Sequence, residues 1–119
     1  MKKTLIIGAS KNPERYSYKA AERLLAYGHD IEMVGLRADT IFDRTIDTEK
    51  KVFTAIDTVT LYVGPRHQPE YYDYIIAINP KRVIFNPGTE NPEFQELLSK
   101  AKIEFEEACT LVLLSTDQY

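Results

Sequence analysis

Residues 5–18 read LIIGASKNPERYSY, and this stretch decides the fold. Its first four residues form a short, unbroken apolar run, which is typical of a strand buried on both faces. A polar loop follows, and apolar residues then recur at helical spacing. Ser17 is the predicted N-cap of that helix, and Gly28 is its predicted C-terminal stop. The stretch therefore predicts a strand, a loop and a helix in succession.

The rest of the chain repeats this alternation of strands and helices. Further strands are predicted at 31–35, 58–63, 83–85 and 103–106. One helix is predicted between Pro69 and Pro80, and another begins with Asn91 as its cap and Pro92 at its first position. No internal repeat or linker interrupts the series. We therefore predict a doubly wound parallel sheet between two helical layers, the three-layer Rossmann-like α/β class, in a single domain of residues 1–119.

Two segments are harder to assign. Residues 36–56 contain charges and threonines without a sustained period, so they predict only short strands or turns. Residues 111–114 fit either a strand or a final helical turn, because a short apolar run does not separate the two.

Composition and charge limit the classes of function. The 119-residue chain is 44% hydrophobic and 28% charged, which is ordinary for a soluble globular protein. Its net charge of −3 gives no overall attraction to nucleic acid or to an anionic membrane. The first apolar run is too short for a signal peptide, and the single cysteine excludes an intrachain disulfide. We expect a cytoplasmic protein without a nucleic-acid or membrane partner; a homo-oligomer is compatible with the sequence.

Candidate ligand-binding residues follow the predicted strands, because ligands bind beyond the carboxyl ends of an open parallel sheet. The first loop has Gly8 but lacks the later glycines of a dinucleotide fingerprint. Its small residues still let a phosphate approach the backbone, its cations add charge, and the next helix offers free N–H groups. The candidate cofactor-binding residues are Gly8, Ala9, Ser10, Lys11, Asn12, Arg15, Ser17, Tyr18, Arg37, Val63, Gly64, Pro65, Asn86, Pro87, Gly88, Thr89 and Cys109.

The end of the second predicted strand argues against NAD as the ligand. A carboxylate usually stands there to bind the ribose 2′-hydroxyl. This chain has Arg37 at that point, with Asp39 two residues further on. A cation suits a ribose that carries a phosphate, so NADP and the 3′-phosphorylated adenosine of coenzyme A both fit Arg37. A plain surface arginine fits the position equally well.

The turn at residues 86–89 follows a buried strand and carries no positive charge. We expect it to wall the pocket beside a neutral polar arm of the ligand. Gly88 is expected to adopt a backbone conformation closed to other residues, or to let the ligand pass close to the main chain. The alternative is a structural turn that only leads into the helix capped by Asn91.

Four segments resemble the small bacterial coenzyme A-binding proteins, which are related to the coenzyme A-binding domain of the succinyl-CoA synthetase alpha subunit. The segments are Gly8-Ala9-Ser10-x-x-Pro13-x-Arg15-x-Ser17-Tyr18, residues 57–63 (DTVTLYV), residues 80–91 (PKRVIFNPGTEN) and residues 107–114 (EACTLVLL). The resemblance implies coenzyme A as ligand, with its pyrophosphate at the loop from Ser10 to Ser17 and its adenosine beside the end of the second strand. Many relatives have Asn-Pro after that strand, where this chain has Leu36-Arg37.

The sequence shows no machinery for catalysis or for a metal site. Cys109 has no sequence partner and fits a small buried residue. His29 fits a helix end, and His67 fits either a phosphate contact or the surface. We expect a stand-alone, non-catalytic module that binds coenzyme A or an acyl-CoA, as a sensor or a carrier. The alternatives are an NADP-binding oxidoreductase-like protein and an interaction module that has lost ligand binding.

Overall fold

The computed structural model describes residues 2–119 of the chain. The strands are β1 (Thr4–Ile7), β2 (Ile31–Val34), β3 (Asp39–Ile41), β4 (Arg44–Asp47), β5 (Thr58–Leu61), β6 (Arg82–Phe85) and β7 (Glu104–Glu107). The helices are α1 (Tyr16–Ala26), α2 (Tyr72–Ile78), α3 (Pro92–Lys100) and α4 (Thr110–Ser115). Two single-turn 3-10 helices, Pro65–His67 and Pro69–Tyr71, precede α2.

All seven strands form one sheet in the order β3-β4-β2-β1-β5-β6-β7. Neighbouring strands are parallel except for β3 and β4, which are antiparallel. Helices α2 and α3 pack on one face of the sheet, and α1 and α4 pack on the other. The predicted Rossmann-like fold is confirmed.

The central strand β1 is buried on both faces, as its apolar run predicts. Leu5 and Ile7 belong to the core beneath α2 and α3, whereas Ile6 belongs to the core beneath α1 and α4. Successive side chains of a strand point to opposite faces, so one strand contributes to both cores. The two cores hold β1 in place, and β1 delivers the first loop to the carboxyl edge of the sheet.

The prediction of Ser17 as the N-cap of α1 is wrong. Arg15 takes the cap position with an extended backbone, and Ser17 is a buried residue inside the first turn. The helix begins earlier because the preceding loop already turns: the Arg15 N–H donates to the Asn12 carbonyl at 3.0 Å. The positive φ of Gly28, +87°, confirms it as the residue that stops α1.

The prediction for the start of α3 is confirmed. Asn91 is the N-cap and its Oδ1 accepts a hydrogen bond from the Phe94 N–H at 3.2 Å, while Pro92 is the first helical residue. Residues 111–114 lie in helix α4, which settles the choice left open by the pattern. The helix predicted from Pro69 begins as a 3-10 turn and becomes α-helical only at Tyr72.

Residues 36–56 contain a short hairpin of β3 and β4 that extends the sheet beyond β2. Phe42 and Asp43 connect the two strands with φ values of 52° and 60°. Two-residue hairpin turns favour such left-handed conformations, usually in Asn or Gly.

No helix within residues 2–119 is long and apolar enough to span a membrane.

Candidate functional site

A cleft of about 870 Å³ opens at the carboxyl ends of β1, β2 and β5. The strand order reverses here, since β2 lies on one side of β1 and β5 on the other. The cleft brings together most of the residues predicted from sequence. Those that line it are Gly8, Ala9, Ser10, Lys11, Asn12, Arg15, Ser17, Arg37, Val63, Gly64, Pro87, Gly88 and Thr89.

Four of the predicted residues do not line the cleft. The ring of Tyr18 packs against Phe42, with 4.9 Å between ring centroids. Pro65 begins the first 3-10 turn. Asn86 is buried among β5 and α4, and Cys109 is the N-cap of α4. These four residues therefore have packing or helix-end positions outside the lining of the cleft.

Sequence reasoning missed seven lining residues: Glu14, Tyr16, Gly35, Leu36, Asp39, Tyr62 and Tyr71. Six of them lie in or directly after the first loop, or at or just beyond the end of a predicted strand, and that position was the signal that could have identified them. Tyr71 carried no such signal, because its helical spacing indicates packing and its place in the cleft depends on how the 3-10 turns lead into α2.

The floor of the cleft is main chain. Gly8 has φ +91°, and a Cβ there would lie 2.8 Å from the carbonyl oxygen of Tyr62. A Cβ on Gly35 would lie only 2.3 Å from the carbonyl oxygen of Ala9. The N–H groups of Gly8 and Ala9 both donate to the Val34 carbonyl, at 2.9 and 3.0 Å. The glycines therefore let the first loop lie directly on the end of β2.

The first loop is shaped by its own side chains. Ser10 Oγ accepts a hydrogen bond from the Asn12 N–H at 3.1 Å, and Asn12 Oδ1 accepts from the Glu14 N–H at 3.0 Å. The hydroxyl hydrogen of Ser10 and the amide hydrogens of Asn12 remain available as donors. These contacts fix the loop and leave donors for an anion.

The N-terminus of α1 opens onto the cleft, where Arg15, Tyr16 and Ser17 line it. No side chain among the described residues accepts a hydrogen bond from this terminus. The first N–H groups of a helix have no partner within the helix, and the helix dipole adds positive potential there. The arrangement suits a phosphate or another anion.

Charged groups of both signs surround this terminus. The cations Lys11, Arg15 and Arg37 line the cleft, together with the carboxylates Glu14 and Asp39. Lys11 Nζ lies 3.4 Å from Asp39 Oδ2. The hydrogen bond from the Thr40 N–H lowers the pKa of Asp39, and Lys11 lowers it further. Among the ion pairs of residues 2–119, none involves Arg15 or Arg37.

Tyr62 lines the cleft, whereas its hydroxyl is buried in the interior. Within the described part of the chain, this hydroxyl has no hydrogen-bond partner. The nearby hydroxyls of Thr60 and Thr110 bond to each other at 2.8 Å. Burial raises the pKa of Tyr62 to about 12. Tyr62 is therefore a neutral donor at physiological pH and a poor general base.

The turn at 86–89 combines two roles. Pro87, Gly88 and Thr89 line the cleft, whereas Asn86 is buried. Gly88 has φ +90°, which confirms the expected conformation, and its N–H donates to Glu90 Oε1 at 2.9 Å. The Thr89 carbonyl accepts from Gln68 Nε2 at 2.7 Å. Asn86 and Thr89 thus anchor the turn through buried contacts, while Pro87, Gly88 and Thr89 line the cleft.

Comparison with known proteins identifies the family. A family model described as the CoA binding domain matches residues 2–115. A crystal structure of an uncharacterized protein is 50% identical, has a TM-score of 0.98, and covers 100% of this chain and 98% of its own. No curated protein sequence is significantly similar to the chain.

Two more distant structures share the fold alone. One is a Thermus thermophilus protein, cell-free ID.343, with 20% identity, a TM-score of 0.88, and coverage of 99% of this chain and 90% of its own. The other is acetyl-coenzyme A synthetase 1 of Candidatus Korarchaeum cryptofilum, in complex with phosphate and ADP. It has 17% identity and a TM-score of 0.73, and the match covers 90% of this chain and 25% of the synthetase. The family match over residues 2–115 decides the assignment: the chain belongs to the CoA binding domain family.

Proposed function

We propose that this chain binds coenzyme A or an acyl-CoA in the cleft, as a stand-alone module that catalyses no reaction. The observation that carries the proposal is the uncapped N-terminus of α1, which opens with Arg15 onto a floor of main chain. Family membership supplies the ligand class. A pocket of about 870 Å³ is within the range that holds organic cofactors.

The residues of the cleft suit the chemically distinct parts of coenzyme A. The pyrophosphate would lie at the N-terminus of α1, with Arg15, Ser10 and Asn12 as donors. The adenosine would lie beside the end of β2, where Leu36 and Arg37 offer an apolar surface and a cation. The pantetheine arm would follow the uncharged turn 87–89. The pyrophosphate would then lie between the adenosine and the pantetheine arm, as the covalent structure of coenzyme A requires.

The titratable groups around the cleft support binding without catalysis. Tyr62 and Tyr71 both have pKa values raised by burial, so both stay protonated at neutral pH. Cys109 lies outside the lining, and His29 accepts a hydrogen bond from the Lys2 N–H away from the cleft. The lining therefore offers donors and charges that suit recognition of a ligand.

Coenzyme A is expected to raise the melting temperature of the protein, whereas NAD is not. A ligand that binds only the native state stabilises it by about 2.7 kcal/mol at a hundred times its dissociation constant. A thermal-shift series with coenzyme A, acetyl-CoA, NADP and NAD measures this. NADP tests the alternative that Arg37 binds the phosphate of a nicotinamide dinucleotide. Equal stabilisation by NAD, or none by coenzyme A at millimolar concentration, would contradict the proposal.

Arg15→Ala is expected to weaken coenzyme A binding about ten- to a hundredfold, because a hydrogen bond to a charged group contributes about 1.5–3 kcal/mol. The side chain is exposed, so the free energy of unfolding should change little. Calorimetry with coenzyme A measures the affinity. Arg23→Ala is the matched control, since it removes the same charge from the last turn of the same helix. If the two variants bound coenzyme A equally well, the phosphate site would lie elsewhere.

A further inference from the structure

An ion pair joins two walls of the cleft. Lys11 belongs to the first loop, and Asp39 is the first residue of β3 in the outer hairpin. Their charged atoms, Lys11 Nζ and Asp39 Oδ2, are 3.4 Å apart, and both residues line the cleft. The pair therefore places one cation of the first loop against a carboxylate of the protein, in the charged part of the cleft.

The two partners differ in how firmly they are held. The Thr40 N–H donates to Asp39 Oδ1 at 2.7 Å, and Asp39 is paired with Ile46 in the β-ladder. The Lys11 side chain is 68% exposed, compared with 35% for Asp39. Exposed ion pairs contribute little to stability, so Lys11 can leave Asp39 at small cost. Lys11 is the partner that moves.

We propose that Asp39 acts as an internal counter-anion that competes with the phosphate of the ligand for Lys11. The inference rests on the proposed function, because it concerns how the same cleft selects its ligand. In the structure described here Lys11 is neutralised by Asp39. When a phosphate enters, Lys11 turns to it, and Asp39 stays on β3 as an unpaired negative charge facing the ligand. Asp39 thereby lowers the affinity for phosphorylated ligands and masks part of the contribution of Lys11.

The surrounding charges make this effect specific to Asp39. Arg37 lies two residues before it, and Arg15 and Glu14 also line the cleft. Of the two carboxylates in the lining, only Asp39 forms an ion pair with a lysine or arginine of residues 2–119. Glu14 contributes to the general field of the cleft, whereas Asp39 pairs with Lys11, a cation of the first loop that lines the cleft.

The test is a double-mutant cycle of Asp39→Asn and Lys11→Ala, measured by calorimetry with coenzyme A and with inorganic pyrophosphate. Asparagine keeps an oxygen that accepts from the Thr40 N–H and removes only the charge. We expect Asp39→Asn to raise the affinity for both ligands about two- to fivefold, the range of an exposed ion pair. Lys11→Ala should then reduce affinity more in the Asp39→Asn background than in the wild-type protein.

Asp43→Asn is the matched control. It removes the same charge from the turn of the same hairpin, outside the cleft, at a left-handed residue that suits asparagine. The inference would be overturned if Asp39→Asn changed the ligand affinity no more than Asp43→Asn does. It would also be overturned if Lys11→Ala reduced the affinity equally in the wild-type and Asp39→Asn backgrounds. If coenzyme A binds but the coupling energy between the two substitutions is zero, the inference is wrong and the proposed function stands. If pyrophosphate shows the expected coupling but coenzyme A does not bind, the proposed function is wrong and the inference stands. If neither ligand binds, both are wrong.

Discussion

Asn86→Ala is expected to lower the free energy of unfolding by about 3 kcal/mol, because it leaves buried polar groups without partners. Asn86 is 2% exposed, although it begins a turn at the cleft. Its Nδ2 donates to Thr60 Oγ1 at 2.7 Å and to the Leu61 carbonyl at 2.8 Å. Its Oδ1 accepts from the Thr110 N–H at 2.9 Å. The side chain thus connects β5, the end of β6 and the start of α4.

Urea-induced unfolding measures this effect, and two further variants interpret it. Asn86→Asp retains the acceptor for Thr110 but loses both donors, so it should also be destabilised. Asn12→Ala is the control, because Asn12 is exposed and makes its side-chain contact within the first loop. Similar unfolding free energies for Asn86→Ala and Asn12→Ala would show that the buried contacts of Asn86 contribute little.

The prediction for Asn86 was correct about the edge of the sheet and wrong about the surroundings of the side chain, which is buried and does not line the cleft. Its position after a buried strand correctly predicted the carboxyl edge. Which way its side chain turns depends on β5 and α4, which lie 24 to 26 residues away in the chain. Long-range hydrogen bonds of this kind leave no local pattern, so a residue that anchors the turn resembled one that lines the pocket.

Strands β1 and β6 were predictable because both are buried on both faces and carry short apolar runs, at residues 5–7 and 83–85. The outer hairpin lacked such a signal. Only Ile41 of β3 and Ile46 of β4 are buried, and the turn between these strands uses Phe42 and Asp43 where glycine or asparagine is usual. Asp39 reaches the cleft through this hairpin, so the same gap in the pattern concealed its ion pair with Lys11.

The sequence also does not predict that main-chain atoms form the floor of the cleft. The sequence predicts Gly35 only as the end of a strand, whereas the structure packs it against the carbonyl of Ala9. The first loop lacks the second and third glycines of a dinucleotide fingerprint, and the glycine that follows the neighbouring strand β2 provides the close approach. Glycines that serve a common purpose can thus follow different strands, because parallel strands end at one edge.

Gly35→Ala is expected to destabilise the protein by about 1–3 kcal/mol, the usual range for overpacking. The new Cβ would lie 2.3 Å from the Ala9 carbonyl oxygen and 3.1 Å from Ile46 Cγ2. The nearer neighbour is main chain, so the first loop must move away from β2. That movement displaces the N-terminus of α1, and coenzyme A affinity should fall by more than the loss of stability accounts for. Urea unfolding and calorimetry measure the two effects.

Gly64→Ala is the matched control, because Gly64 also lines the cleft and a Cβ there would meet no atom within 4 Å. Gly64 has φ −66°, which alanine adopts without strain. Neither substitution forces alanine into a left-handed conformation, so the comparison isolates the clash with Ala9. If Gly35→Ala and Gly64→Ala were equally stable and bound coenzyme A equally well, contact between the first loop and β2 would not shape the site. A deficit confined to Gly35→Ala would make the glycine that follows β2 part of the phosphate site, although it belongs to no phosphate-binding motif.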